Sequence, residues 1–488
     1  MKSGFIKRAY CLIVASALLA LSALNPLAAA ELPHPRQHQQ PTQLSDVLAS
    51  ARNHYPKILA AQAQLRSRQA QITAAQGAFD PRIDSRFYSR MSGFYGGTFI
   101  DNQFKQRLPQ FNAEVFAGYR VSDGRFPLYE DEYFTNDAGE ARIGFALSLL
   151  RDRDIDDRRF AVNKAQIEEQ AELQRLRAQM INVQRSAYIA YAQWLLAARL
   201  AESYQDLLDL AERRGRALER SVEAGESAEI LLVENRQAIL QRQGLVMDGR
   251  RLQTVAAEQL ALYLRDANGQ PQYPLYAPQL QMPADDQQTL QQPLDQLINQ
   301  ALHQRPEIVI ADLARQVAGL EGQLADNLAK PRLDLQFYSA RDFGPGSTTR
   351  EGIDNIINLQ FSLPLRTREA QGRAASAQAR AEGLTQEIRL LEDQVTTDMR
   401  VALVNVRTTR ELEDNAKAEL EASLTLADAE QRRFDSGLSD FFTLNIRERN
   451  VGEAQLKRWQ AYLAHQVALA NFYSASMNLA ALGIEVPQ

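Results

Sequence analysis

The strongest constraint on what this chain can become is that it is written twice. PRIDSRFYS at residues 81–89 returns as PRLDLQFYS at 331–339, with six letters of nine identical. The same 250-residue offset lays Pro56-Lys57-Ile58 on Pro306-Glu307-Ile308, Ala51 on Ala301 and Leu44 on Leu294 without a gap. A phrase repeated in register marks an internally duplicated fold, so every element assigned in one half needs a counterpart in the other.

Each half holds two segments of period two. In ARIGFALSLL, 141–150, Ile143, Phe145, Leu147 and Leu149 alternate with polar or small residues, and NIINLQFSLP, 355–364, does the same with Ile357, Leu359, Phe361 and Leu363. In the quoted phrase Leu333, Leu335 and Phe337 share a face opposite Asp334, Gln336 and Tyr338. These are strands with one apolar and one polar face. The remainder has helical spacing: Leu176, Met180, Val183, Ala187, Tyr191 and Trp194 in one half, and Ile388, Leu391, Val395, Met399, Ala402 and Val406 in the other. That is the stripe of helices packed side by side in coiled-coil fashion.

Proline is absent from 128–270 and 365–486, so the helical stretches break at glycine, in VEAGESAE at Gly225 and FDSGLSDF at Gly437. The first repeat, 42–265, reads as a helix, a strand pair within 82–150, a long helix 155–222 and a helix 226–265. The second, 292–482, reads as a helix, a strand pair within 332–364, a long helix 370–434 and a helix 440–482. Two shorter helices end to end, such as 226–265 and 292–330, match one long helix of roughly 100 Å. The proline-bearing linker 266–291 falls at mid-height. Since a strand pair must leave the rod and return, two strands per half are expected to cross, with the strand-like run 112–121 placed in a long excursion, 91–139, beyond them.

Residues 1–30 are a secretory signal peptide: Lys2, Lys7 and Arg8, an apolar run from Cys11 to Leu24, and Ala28-Ala29-Ala30 before Glu31. A flexible leader, 31–41, and a short tail, 483–488, flank the repeats. Cys11, the chain's single cysteine, lies at the start of the apolar run and not after it, badly placed for lipidation, so the mature chain is expected to be non-lipidated and thiol-free. The formal net charge of −5 becomes −8 once the leader, with three basic and no acidic residues, is removed, and nucleic acid is not an expected partner. No mature stretch reaches 18 apolar residues, which excludes a spanning helix but leaves a spanning barrel open.

Four amphipathic strands cannot close a barrel, and lipid does not tolerate open edges, so such a chain must oligomerise. In this order, twice, the helix starts LSDVLASARNHYPKI and LDQLINQALHQRPEI, the strand exit FSLPLRTREAQGRAASAQA and the glycine turns resemble the TolC-like family of outer-membrane efflux and secretion ducts over residues 42–482. The resemblance implies an α+β membrane protein in the outer membrane of a Gram-negative bacterium. Its long coiled-coil-like helical barrel in the periplasm would be continuous with a transmembrane β-barrel, four strands per protomer and twelve in a homotrimer. It also implies a periplasmic adaptor (membrane fusion protein) and, through it, an inner-membrane pump. The function expected is the exit channel of a tripartite efflux or type I secretion system; the alternative is a periplasmic coiled-coil scaffold or adaptor without a pore.

In that family the tunnel mouth lies just after the glycine turn, with an aspartate six residues on. Leu231 and Thr443 occupy those positions here. Glu229 and Asp440 are the nearest acids and either form a replacement carboxylate ring, favouring cations, or serve helix starts. Gly225 and Gly437 supply the positive φ of tight helix-to-helix turns, with Ser227 and Ser439 as expected caps. RDRDIDDRR, 151–159, has interleaved arginines and no central glycine, unlike a calcium loop, and His34 and His38 flank Pro35. No metal, cofactor or catalytic constellation is expected.

Overall fold

A computed structural model describes residues 36–37 and 40–484 except 111 and 283. The expected signal peptide, His34, His38 and residues 485–488 lie outside the described residues. The chain runs β1 (Arg36–Gln37), α1 (Leu44–His54), α2 (Pro56–Gln76), β2 (Arg82–Ser89), β3 (Gly97–Leu108), β4 (Ala113–Gly124) and β5 (Glu140–Ser148). There follow α3 (Asp157–Glu223), α4 (Ile230–Ala261), β6 (Gln272–Tyr273) and α5 (Gln287–Leu290). The second half continues as α6 (Leu294–Gln304), α7 (Pro306–Leu328), β7 (Arg332–Asp342), β8 (Asp354–Ser362), α8 (Arg368–Asp435) and α9 (Phe441–Ala475).

The duplication has a local cause that the backbone repeats. A residue before proline is pushed out of the helical region, while proline itself suits a helix's first turn. Tyr55 (φ −76°, ψ 124°) therefore ends α1 and Pro56 opens α2, and Arg305 (φ −64°, ψ 120°) and Pro306 do the same between α6 and α7. Both preceding helices have 11 residues.

The 67 residues of α3 and 68 of α8 make helices of about 100 Å. Beside α3 pack α2, which feeds the strands, and α4, which leaves the opposite end; between α3 and α8 pack α7 and α9. The wall is therefore four helices across at both levels. Helix 230–261 continues the line of 56–76, and 441–475 that of 306–328. The expected partnership of 226–265 with 292–330 is corrected: each short helix stacks on the one that shares its long neighbour.

At mid-height, fully buried Tyr191, Trp194 and Phe472 join Leu280 and Met282 of the linker in one apolar core. The leader is tied down as well: Arg36–Gln37 pairs in parallel with Gln272–Tyr273, and the Thr42 N–H donates to the Leu275 carbonyl at 3.0 Å. Buried His465 contacts Asp285 at 3.1 Å and Thr409 at 3.2 Å. The hydrogen bond to His465, with the charge of Arg410, holds the Asp285 carboxyl below its ordinary range against the opposing effect of burial.

The strand count departs from expectation. The main sheet is six-stranded, in the order β2-β3-β4-β5-β7-β8, antiparallel throughout. The run 112–121 is not an outlying loop but most of β4, and β3 and β4 cross the sheet's full height, from Gly97↔Gly124 to Leu108↔Ala113. At the helix end the Gln106 side chain donates to the Phe79 carbonyl at 2.8 Å. The requirement that a chain leave and return demands an even number of crossings, and four in the first half meets it as well as two.

Candidate functional site

Two surfaces carry the functional geometry: the turns at the free end of the bundle, and the two faces of the sheet at the other. Gly225 (φ 76°) and Gly437 (φ 72°) take up left-handed backbone at the ends of α3 and α8. The Glu226 N–H donates to Ser221 O and the Gly225 N–H to Val222 O, both at 2.9 Å; Leu438 to Arg433 (2.8 Å) and Gly437 to Phe434 (2.9 Å) repeat the pattern. These are Schellman closures, which need a residue at ease in that conformation. Nothing lies within 4 Å of a Cβ built on either glycine, so the demand is conformational and not steric. Gly225→Ala with Gly437→Ala is expected to cost about 1–2 kcal/mol at each turn, read as faster amide exchange over 221–231 and 433–443.

Neither serine caps its following helix. Ser227 shares a hydrogen bond with Ser221 at 2.8 Å, and Ser439 donates to the buried Glu430. The cap of α9 is Asp440, whose carboxylate accepts from the Thr443 N–H at 2.6 Å and is held below its ordinary pKa chiefly by that bond. A capping carboxylate next to serine wins because its charge also faces the helix N-terminus. Glu229 lies exposed just before α4 and makes no side-chain cap; Leu231 and Thr443 are half-buried. Between these residues the tips leave Ile230, Val233, Leu438 and Phe442 exposed.

Sequence reading missed a charged group that links three helices near the tips. In the first turns beyond the glycine turns, Glu448 on α9 is buried between Arg214 on α3 and Arg242 on α4. Arg214 grips it with both terminal guanidinium nitrogens, Nη1 and Nη2, and also reaches Gln431 at 2.8 Å, while Arg242 donates to it at 2.6 Å and to the Leu207 carbonyl at 3.0 Å. Burial would raise the Glu448 carboxyl; the Arg214 hydrogen bonds and the two positive charges more than offset it and hold it low. The available signal was charge at stripe spacing: Arg214 follows Ala211 and precedes Leu218, and Glu448 lies between Leu444 and Val451.

The strand registers sort the sheet into two faces. One carries Ile100 and Phe104 on β3, Val115 and Val121 on β4, Ile143 on β5, and Ile357, Leu359 and Phe361 on β8, all exposed. The other is polar and charged: Asp101 meets Arg142 at 2.6 Å and Arg120 at 3.4 Å, Lys105 meets Asp84 at 3.0 Å, and Arg107 meets Glu114 at 2.7 Å. Where strand meets helix, Asp156 caps α3 and Asp152 exchanges hydrogen bonds with Asn327 at 2.8 and 2.9 Å. Those aspartates are structural, and among the described residues no group of metal-ligating side chains assembles.

No protein-family model and no curated protein matches the sequence. Solved structures do. The MtrE outer-membrane channel of Neisseria gonorrhoeae, in its open state, is 14% identical with a TM-score of 0.61, over 89% of this chain and 88% of that one. The CmeC outer-membrane channel of Campylobacter jejuni is 14% identical with a TM-score of 0.59, over 89% and 85%. The outer-membrane protein VceC of Vibrio cholerae is 14% identical with a TM-score of 0.58, over 89% and 96%. The chain therefore has the fold of TolC-like outer-membrane channels.

Proposed function

We propose that this protein is the passive outer-membrane exit duct of a tripartite efflux system, a homotrimer whose sheets seal into one barrel and whose helices carry the tube into the periplasm. The carrying observation is the sheet: one largely apolar face exposed, a charged face opposite, and two edges, β2 and β8, that are unpaired among the described residues and exposed almost throughout. Lipid accepts the first face but not open edges, so sister copies must supply the missing strands. Each strand, spaced about 4.8 Å and tilted about 40°, occupies roughly 6 Å of circumference. Each helix occupies about 9 Å. Eighteen strands and twelve helices both come to about 110 Å, so three copies make a barrel and a tunnel of equal girth.

The exposed apolar tips at Ile230, Val233, Leu438 and Phe442 support docking of a periplasmic adaptor at the mouth, with the pump beyond it. Since the Asp440 carboxylate is committed to its cap, a carboxylate ring at this level rests on Glu229. A pore-less scaffold would leave the sheet's apolar face in water, which counts against it. The test is extraction and bilayer recording. The protein is expected to need detergent, to run as an oligomer of three, and to give long-lived conducting units in planar bilayers. Release by osmotic shock as a soluble chain would overturn the duct.

A further inference from the structure

The segment joining β4 to β5 does not project away from the sheet. It folds back over the charged face, and the side chains that hold it are those the strand register turns inward. Tyr133 stacks on Phe99 at 4.7 Å, leaving Phe99 only 2% exposed although it sits on the polar face. Arg120, buried, donates to the Glu132 carbonyl and lies 5.4 Å from the Tyr133 ring. Thr135 and Ser122 hydrogen-bond reciprocally, backbone N–H to hydroxyl each way, at 3.0 and 2.7 Å. The Asn136 N–H donates to Asp342 at 2.9 Å, and ion pairs Arg90–Glu130 (2.6 Å) and Arg350–Asp131 (2.9 Å) pin its middle. Three strands, β3, β4 and β7, and the β2–β3 and β7–β8 turns thus share in fixing one loop. Leu128 (93% exposed) and Tyr129 (76%) stand off it.

On the duct reading the charged face is the lumen wall, and this loop is inside the channel. We propose that residues 125–139 form a fixed constriction near the outer end, with Leu128 and Tyr129 as its rim, restricting cargo to single small solutes and excluding folded protein. A barrel of about eighteen strands leaves an aqueous channel, as porins of that size do. With a circumference of about 110 Å its radius is roughly 17 Å, and a layer about 10 Å deep from each of three subunits removes more than half of it. The buried hydrogen bonds make the layer a built wall and not a tether.

The test uses the full chain, which has no cysteine after Cys11. Tyr129→Cys is recorded in planar bilayers before and after a maleimide carrying a short polyethylene glycol chain, with the unsubstituted protein treated alike. Conductance is expected to fall by about half or more on labelling of the variant alone. In a second variant, Arg120→Ala with Tyr133→Ala, a loosened loop is expected to raise unlabelled conductance about twofold. Conducting units unchanged in both variants overturn the constriction and leave the duct standing; no conducting units from the unsubstituted chain overturn both.

Discussion

Ile143→Arg is expected to abolish most of the inserted assembly. Ile143 is 67% exposed near the middle of β5, between Ala117 of β4 and Ser339 of β7, and stands on the apolar face. Arginine facing lipid at the midplane of a barrel costs about 2–4 kcal/mol. That corresponds to roughly thirty- to a thousandfold in the ratio of inserted to uninserted chain, per copy. The control is Asn358→Arg on β8, exposed and on the opposite, polar face, where a new cation meets water and the cost should be near zero. The measurement is the yield of heat-sensitive oligomer after folding into vesicles, and its midpoint in urea. Equal tolerance of the two substitutions would mean that neither face meets lipid.

How far this arrangement could be read from the letters depended on whether the signal was local. The break between α1 and α2 and its copy between α6 and α7 are dipeptide effects, and the turn glycines answer a backbone need of four residues, so both were legible. β5, β7 and β8 were legible because their outward positions are almost uniformly apolar. β3 was not: its outward row is interrupted by Asn102 and Gln106, and its inward row carries Phe99, which is apolar because Tyr133 covers it. β4 showed its alternation plainly, yet was set outside the sheet by a topological argument that fixes the parity of crossings and not their number. The side chain covering Phe99 lies 34 positions further on in a loop, and no periodicity connects the two.

The buried Arg214–Glu448–Arg242 cluster is the same lesson in energetic form, since its anion and Arg214 are separated by 234 residues. Removing the anion, Glu448→Ala, strands two guanidinium groups between α3, α4 and α9, a loss of about 3–5 kcal/mol confined to the mouth. The expected result is faster amide exchange in the first half of α4 and the last turns of α3, with the mid-height core around Trp194 unaffected, and a higher resting conductance. Replacing all three at once, Arg214→Met, Arg242→Leu and Glu448→Leu, should recover most of the protection, because an apolar trio of similar volume carries no desolvation cost. The pH dependence has a definite sign. A carboxyl whose folded pKa is depressed stabilises fully above its unfolded value, about 4.3, and loses that contribution as pH falls through and below it. The wild-type mouth should therefore hold its protection from neutral pH down to about 5 and loosen only at lower pH, while the apolar trio shows no such transition. If Glu448→Ala leaves exchange at the tips unchanged, the Schellman turns and apolar packing alone hold the mouth, and the cluster serves only to satisfy its own charges.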